Sequence, residues 1–369
     1  MKVPFLNLKR NYQVIQKEID KSIEKVVKSG NYILGNEVEN FESVYAKFCN
    51  VNFCVGVANG LEALQIALTT LGIGKGDEVI VPSHTFIATW LAVSHVGAIP
   101  VPIEPDSNTY NIDPKLIEKK INKKTKAIII VHLYGQPADI DSIMSIAKKK
   151  NLYVIEDAAQ SQGASYKNEM IGSHGDIVAW SFYPGKNLGA FGDAGALTTK
   201  SKKLYEKIKI LRNYGSKEKY VNSLIGFNSR IDPIQAAILS VKLKFLKKTN
   251  ILRRNIAKKY IDAIEPLCIL PSEDKLSEHV WHLFVIRHEK RDKLKDKLDI
   301  YGISTLIHYP IPPHLQQAYS FLNLRKGSLP IAEKICSEVI SLPLDPYMNN
   351  NEIDYVIDKT NQVLKKIGK

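Results

Sequence analysis

The chain lacks several features that would set it apart from ordinary globular proteins. No run of about 18 apolar residues occurs in its 369 residues, so no membrane span and no membrane partner are expected. Its first ten residues, MKVPFLNLKR, contain no apolar core followed by a small-residue cleavage site, so no signal peptide is expected. There is no internal repeat and no Gly/Ser linker. A length of 369 residues exceeds that of a typical single domain, so it favours a globular protein of two domains.

Cysteine is scarce, with only Cys49, Cys54, Cys268 and Cys336 in the chain. Four scattered cysteines are too few for a disulfide framework, and no second pair follows at the spacing of a zinc site. We therefore expect reduced thiols in a cytoplasmic protein, and no metal site.

Acidic residues are outnumbered, 38 against 51 lysines and arginines, which gives a formal net charge of +13. Such a charge favours anionic partners. The lysines are spread along the chain, however, and no arginine-rich arm or basic patch interleaved with aromatic residues occurs. We expect a solvated basic surface and no nucleic-acid partner; phosphorylated small molecules fit the charge equally well.

Apolar periodicity predicts alternating helices and strands over the first two thirds of the chain. Residues 12–29 and 37–48 show helical spacing. The predicted strands are 53–57, 78–81, 127–131 and 153–156, and the predicted helices between them are 60–71, 85–96 and 140–150. This alternation is typical of an α/β fold with a mostly parallel sheet covered by helices.

The pattern changes after about residue 235. A long lysine-rich helix is predicted over 233–260, followed by a strand at 280–287 and helices at 329–341 and 352–366. These features predict a large domain of residues 1–245 and a smaller α+β domain of residues 246–369.

Three segments carry residue types suited to chemistry. Asp157, in EDAAQ at 156–160, follows a predicted strand, where open α/β sheets bind ligands; the plainer interpretation is a helix cap. Lys186, in SFYPGKNLG at 181–189, has small, aromatic or apolar neighbours, and burial would lower its pKa and favour imine formation with an aldehyde. Asn59-Gly60 begins a predicted helix, whose backbone amides would suit a phosphate.

Together these segments resemble the DegT/DnrJ/EryC1/StrS family of sugar aminotransferases. The resemblance extends from Pro4 to the C-terminal region and includes GNEV at 35–38, PSHTF at 82–86 and GFNSR at 226–230. It implies the type I fold of pyridoxal-phosphate-dependent transferases, like aspartate aminotransferase. That fold has a large domain with a mostly parallel seven-stranded sheet between helices, and a smaller α+β C-terminal domain.

The resemblance also implies roles for individual residues. Lys186 would be the Schiff-base lysine that carries pyridoxal 5'-phosphate and moves the proton, and Asp157 would pair with the pyridinium nitrogen. The other implied cofactor contacts are Gln160 to the phenolic oxygen, Phe86 on the ring face, and Gly60, Leu61 and Ser181 at the phosphate. Many members have Thr or Ser where Leu61 stands, so only a backbone contact is expected there.

Further expectations concern the assembly and the reaction. Asn228 would reach the phosphate of the neighbouring subunit's cofactor, which implies a homodimer with shared active sites. L-Glutamate would convert the cofactor to pyridoxamine 5'-phosphate, and a nucleotide-diphosphate keto-sugar would then take the amino group. A related branch with histidine at the lysine position contains dehydratases, and Lys186 disfavours that branch.

Two segments bear on the substrate, HTFIATWLA at 84–92 and HYPIPPHLQ at 308–316. Both resemble members that aminate C3 of dTDP-linked 3-keto-6-deoxyhexoses, for deoxyamino sugars of O-antigen or S-layer glycans. The candidate substrate contacts are Tyr183, Arg230, His308, Tyr309 and His314. The alternatives are a 4-aminotransferase acting on a UDP- or GDP-linked 4-keto-6-deoxy sugar and, more distantly, a non-catalytic regulatory or nucleic-acid-binding protein.

Overall fold

The computed structural model describes residues 1–368. The helices are α1 (Leu8–Val14), α2 (Gln16–Ser29), α3 (Asn36–Phe48), α4 (Gly60–Thr70), α5 (Ala88–His95), α6 (Pro114–Ile117), α7 (Ile140–Lys150), α8 (Lys202–Arg212), α9 (Pro233–Ala263), α10 (Arg291–Ile300), α11 (Pro330–Glu338) and α12 (Asn350–Ile367). The strands are β1 (Phe53–Val57), β2 (Glu78–Pro82), β3 (Ile99–Ile103), β4 (Thr125–Val131), β5 (Tyr153–Asp157), β6 (Ser165–Tyr166), β7 (Glu169–Met170), β8 (Ile177–Ser181), β9 (Gly195–Thr199), β10 (Ser216–Glu218), β11 (Val221–Asn222), β12 (Ser277–Glu278), β13 (Phe284–Arg287) and β14 (Val339–Leu342). No helix within these residues combines the length and the apolar character needed to cross a membrane.

A seven-stranded sheet has the order β1-β9-β8-β5-β4-β2-β3. Its ladders are parallel except those of β9, which runs antiparallel to both β1 and β8. The mostly parallel seven-stranded sheet is thus confirmed. Central β4 is buried at every position of its apolar run from Ala127 to Val131, as expected for a strand covered on both faces.

Two layers of helices cover the sheet. Ile128 and Ile130 of β4 pack into one core with α3, α7 and α9, whereas Ala127 and Ile129 pack into another with α4, α5 and α8. This division follows from the strand geometry, since successive side chains point to opposite faces. The helices thus lie on both faces and leave the carboxyl ends of the parallel strands open to a ligand.

Most predicted elements are confirmed near their expected bounds, but four differ. The helical pattern over 12–29 is interrupted at Ile15, between α1 and α2. The helix predicted over 85–96 begins only at Ala88. The strand predicted over 280–287 begins only at Phe284, because Trp281 has a left-handed backbone with φ 48°. The helix predicted over 329–341 ends at Glu338, and its last residues instead form β14, which pairs with β13. Pairing with a distant strand overrode the apolar pattern there.

The C-terminal part has its own apolar core. Phe284, Leu294, Leu342 and Val356 pack together with Tyr260 of α9 and with Val3 from the start of the chain. The helix α9 continues through position 245 without interruption. The division into domains 1–245 and 246–369 stays a prediction.

Candidate active site

A cavity of about 510 Å³ opens where several parallel strands end. Asp157 ends β5, Ser181 ends β8, and Val131 ends β4. This is where open α/β sheets bind ligands. Ten of the thirteen residues predicted for the site line this cavity, namely Gly60, Leu61, Phe86, Asp157, Gln160, Ser181, Tyr183, Lys186, His308 and Tyr309.

Asp157 is buried and firmly oriented. Its Oδ2 atom accepts a hydrogen bond from Thr89 Oγ1 at 2.9 Å, and its Oδ1 atom accepts one from the Ala159 amide at 3.2 Å. Burial raises the pKa of Asp157, and the bonds from Thr89 and Ala159 oppose that rise. Within residues 1–368 no arginine or lysine forms an ion pair with this carboxylate. A positively charged ring N–H placed against it would supply the missing partner.

Lys186 lies half-buried in a tight turn after β8. The Lys186 amide donates to the Tyr183 carbonyl at 2.8 Å, and the Ala190 amide donates to the Phe182 carbonyl at 2.8 Å. Gly189 permits this turn, because a Cβ there would lie 2.2 Å from the Pro184 carbonyl oxygen. Burial lowers the pKa of Lys186 to about 8, opposed by the nearby charge of Asp157. More of the amine is therefore neutral and nucleophilic near neutral pH than for a surface lysine.

The first turn of α4 lies at one wall of the cavity. Asn59 caps the helix, since its side chain accepts from the Glu62 amide at 2.9 Å and its carbonyl accepts from the Ala63 amide at 3.0 Å. The Gly60 and Leu61 amides have no such acceptor among residues 1–368, because the first amides of a helix lack partners within the helix. Ser181 faces them closely: a Cβ at Gly60 would lie 2.6 Å from Ser181 Cβ. Backbone amides and a hydroxyl thus come together in an arrangement that could hold a phosphate.

Gln160, Tyr309 and Phe86 form another wall of the cavity. Gln160 Nε2 donates to Tyr309 Oη at 3.1 Å, and Gln160 Oε1 accepts from the Tyr134 amide at 2.6 Å. The Phe86 ring lies 5.4 Å from the Tyr309 ring and is 53% exposed. A large exposed aromatic ring that lines a cavity can stack on a flat ligand, and it is not an ordinary core residue.

Three predicted site residues do not line this cavity. Arg230 donates to Asn213 Oδ1 at 3.0 Å and lies over the Tyr214 ring, and Asn228 is exposed. His314 is buried with its Nε2 atom 3.0 Å from Glu333 Oε1. The rigid proline-rich loop thus turns His314 away from the position expected for a substrate contact.

Four residues of the site were absent from the sequence prediction. Thr89 holds Asp157, Tyr134 holds Gln160, and both His282 and Arg253 line the cavity. Thr89 lies inside the segment 84–92, which was expected to bear on the substrate and not on the cofactor. The other three carry no local signal, because they reach the site only through the packing of distant segments.

The residues present fit a pyridine ring that bears an aldehyde and a phosphate. A lysine of lowered pKa suits the aldehyde, a buried carboxylate suits a protonated ring nitrogen, and free helix amides suit the phosphate. The fold and the site thus define a pyridoxal-phosphate-dependent aminotransferase. The chain belongs to the DegT/DnrJ/EryC1/StrS aminotransferase family, whose model matches residues 13–361.

Curated relatives match along nearly the whole chain. A dTDP-3-amino-3,6-dideoxy-alpha-D-galactopyranose transaminase from Aneurinibacillus thermoaerophilus is 52% identical over 98% of this chain and 99% of its own. A dTDP-3-amino-3,4,6-trideoxy-alpha-D-glucose transaminase from Streptomyces venezuelae is 46% identical, over 99% and 97%. The erythromycin biosynthesis sensory transduction protein EryC1 from Saccharopolyspora erythraea is 48% identical, over 97% and 98%.

Solved structures agree in fold and in cofactor. DesV from S. venezuelae, crystallised in complex with a ketimine intermediate, has a TM-score of 0.97 and 46% identity, covering 99% of both chains. The structure of NtdA from Bacillus subtilis with bound cofactor PMP has a TM-score of 0.91 and 34% identity, covering 99% of this chain and 85% of that one. The predicted type I fold and the predicted pyridoxal phosphate cofactor are both confirmed.

Proposed function

We propose that this enzyme transfers an amino group from L-glutamate to C3 of a dTDP-linked 3-keto-6-deoxyhexose, in the biosynthesis of a deoxyamino sugar. The observation that carries the proposal is the meeting of Lys186 and Asp157 in one cavity. Two relatives of 46% and 52% identity named as dTDP-3-amino sugar transaminases support the choice of substrate. A non-catalytic regulator would have no use for this pair of residues.

Different residues of the cavity would hold the ring and the phosphate of the cofactor in this reaction. Pyridoxal phosphate, when bound, supplies a conjugated ring that draws electrons from the carbon that loses or gains a proton. Asp157 holds a positive charge at the ring nitrogen, and Thr89 fixes the orientation of Asp157. The amides of Gly60 and Leu61 with the Ser181 hydroxyl hold the phosphate.

Lys186 moves the proton in both directions. With the amino donor, its amine would take a proton from the donor α-carbon and give one to the cofactor carbon that has received the nitrogen. With the keto-sugar it would take a proton from that cofactor carbon and give one to the sugar carbon that receives the nitrogen. A group that acts in turn as base and acid works best when its pKa lies near the working pH. Burial places the pKa of Lys186 at about 8, which suits both steps.

The substrate would enter beside the exposed Tyr183 and the pair His308 and Tyr309. These side chains line the cavity and come from segments that are far apart in the sequence. Burial lowers the pKa of His308 to about 4, so its ring is neutral near pH 7. Neutral imidazole and phenol groups suit the hydroxyls of a sugar.

We further propose a homodimer in which Asn228 and Arg230 serve the partner's cavity. Both lie outside the cavity of their own chain. In the sequence they follow the β10–β11 hairpin and the loop after it, which carry strongly exposed apolar side chains. Tyr220 is 87% exposed and Ile225 is 97% exposed. Such exposed apolar surface is typical of an interface.

Four free cysteines also support a cytoplasmic location.

A panel assay tests the proposal. Native protein and Lys186→Ala would each be given L-glutamate with dTDP-3-keto, dTDP-4-keto, UDP-4-keto and GDP-4-keto sugars. Amination of the 3-keto sugar alone, lost in Lys186→Ala, is the expected result. Preference for a 4-keto sugar would keep the chemistry and overturn the assigned carbon. Full activity of Lys186→Ala would overturn the mechanism.

A further inference from the structure

A chain of amide side chains behind the cavity fixes the hydrogen-bonding role of one ring nitrogen. Asn250 Nδ2 donates to the Gln162 carbonyl at 2.9 Å, so Asn250 presents its Oδ1 atom to Asn187. Asn187 Nδ2 donates to that oxygen at 3.0 Å and to the Val280 carbonyl at 2.9 Å. A carbonyl oxygen can only accept, so both amide orientations are determined.

This arrangement determines the tautomer of His282. Asn187 turns its Oδ1 atom toward His282 Nδ1, 3.2 Å away. That oxygen can only accept, so Nδ1 of His282 carries the hydrogen. Burial, together with the charges of Lys186 and Arg253, holds the pKa of His282 well below its usual value, so the ring is neutral. Its Nε2 atom therefore has a free lone pair and is a hydrogen-bond acceptor.

The side-chain nitrogen of Lys186 is a hydrogen-bond donor, which complements the acceptor on His282. This nitrogen makes no hydrogen bond to any of residues 1–368, although the backbone amide of Lys186 is bonded to the Tyr183 carbonyl. His282 and Lys186 line the same cavity, and the His282 ring is held 3.2 Å from the side chain of Asn187, the residue that directly follows Lys186. An ammonium group offers three donors and no acceptor, and a neutral imidazole Nε2 atom offers one acceptor.

We infer that His282 is a positioning residue for Lys186, accepting through Nε2 a hydrogen bond from the lysine nitrogen and aiming that nitrogen at the carbon whose proton it moves. This inference rests on the proposed function and adds a residue to its mechanism. His282 takes no proton itself, because its low pKa makes it a poor base. It limits the rotation of a long flexible side chain that must otherwise find its geometry by chance.

Two substitutions at the same position separate this role from simple packing. In His282→Asn the amide reaches the place of Nδ1, so the contact with Asn187 is kept and the acceptor at Nε2 is lost. In His282→Gln the longer side chain places an amide oxygen near Nε2. His288→Asn is the matched control, since His288 bonds to the Gly368 carbonyl and does not line the cavity.

The first measurement is the single-turnover reaction of the holoenzyme with L-glutamate, followed by the visible absorbance of the cofactor with no sugar present. We expect His282→Asn to slow this step about tenfold, the loss of one hydrogen bond to a charged group. His282→Gln recovers most of the rate, and His288→Asn equals the native protein. A native rate in His282→Asn, with only the sugar step slowed, would overturn the inference and place His282 against the sugar.

A second measurement needs no amino donor, so it stands even if L-glutamate is the wrong one. The visible band of the holoenzyme is titrated with alkali in the three proteins with native, Asn or Gln side chains at position 282. Loss of an acceptor disfavours the protonated nitrogen of Lys186, so the midpoint moves to lower pH in His282→Asn and returns in His282→Gln. An unchanged midpoint in His282→Asn rejects the inference. Absence of any reaction of native protein with amino donors instead rejects the proposed function.

Discussion

Thr89 Oγ1 donates a hydrogen bond of 2.9 Å to Asp157 Oδ2, which joins the start of α5 to the end of β5. Thr85 Oγ1 lies 3.0 Å from Thr89 Oγ1, so the threonine hydroxyl is itself held in place. This bond opposes the rise in the pKa of Asp157 that burial causes. It favours the charged form of the carboxylate and fixes its orientation at the cavity.

Asp157→Asn removes the charge and keeps the shape of the side chain. We expect kcat to fall by about a hundredfold or more, because a preorganised charge aimed at the reacting system is lost. Thr89→Val leaves the charge and removes only the supporting bond, so the expected loss is about tenfold or less. Steady-state kinetics on cofactor-saturated protein measures both. Equal losses in the two variants would contradict a charge-based role of Asp157.

Gly60→Ala is expected to weaken cofactor binding. The new Cβ would lie 2.6 Å from Ser181 Cβ, so the first turn of α4 must move away from β8 and its amides leave the phosphate. The dissociation constant for pyridoxal phosphate should rise about tenfold or more, by loss of one charge-assisted hydrogen bond. Gly74→Ala is the control, since its Cβ would meet only the Val96 carbonyl oxygen at 3.5 Å. Native affinity in Gly60→Ala would exclude this phosphate site.

The recombination of cofactor-free protein with pyridoxal phosphate should depend on pH through Lys186. Its neutral amine is the reactive form, and burial lowers its pKa to about 8. The rate is therefore expected to rise with pH and to level off above about 8. Asp157→Asn should move the midpoint lower still, because the charge of Asp157 raises the pKa of Lys186. Stopped-flow absorbance measures this profile, and a rate that keeps rising beyond pH 10 would contradict it.

A buried ion pair joins β13 to α11. Arg287 donates to Glu338 Oε2 from Nε at 3.0 Å and from Nη2 at 2.7 Å. Arg287→Met leaves the buried Glu338 carboxylate with only the longer contact to the exposed Lys334 at 3.8 Å, so we expect the free energy of unfolding to fall by about 3 kcal/mol. Lys295→Met breaks the partly exposed pair with Asp299 and should cost less than about 1 kcal/mol. Urea unfolding compares the two, and similar losses would contradict the difference in burial.

Much of the cofactor site could be predicted because its signals are local. Asp157 and Ser181 are the last residues of mainly apolar strands, and Asn59-Gly60 marks a strand that turns into a helix. Lys186 stands in a turn whose glycine pattern is visible in the sequence. The end of a strand defines the edge of a parallel sheet, so such residues converge without knowledge of the rest of the packing.

The substrate side was harder to predict, because loops from distant parts of the chain form it. His308 and Tyr309 reach the cavity, whereas His314 in the same segment turns inward to Glu333. Only packing decides which side of a proline-rich loop faces a cavity. Packing also decides the structure of residues 339–342. Their apolar pattern fits a helix, but they form a strand because they pair with β13.

The sequence by itself determined the parallel sheet and the placing of Lys186 and Asp157 at its edge, because strand ends and glycine turns are encoded by neighbouring residues. Tertiary structure decided which groups surround them. Thr89, Tyr134 and His282 come from three separate segments, and no local pattern reveals that they meet. The tautomer of His282 depends on Asn187 and Asn250, since a hydrogen bond acts only across a few ångströms that folding alone creates.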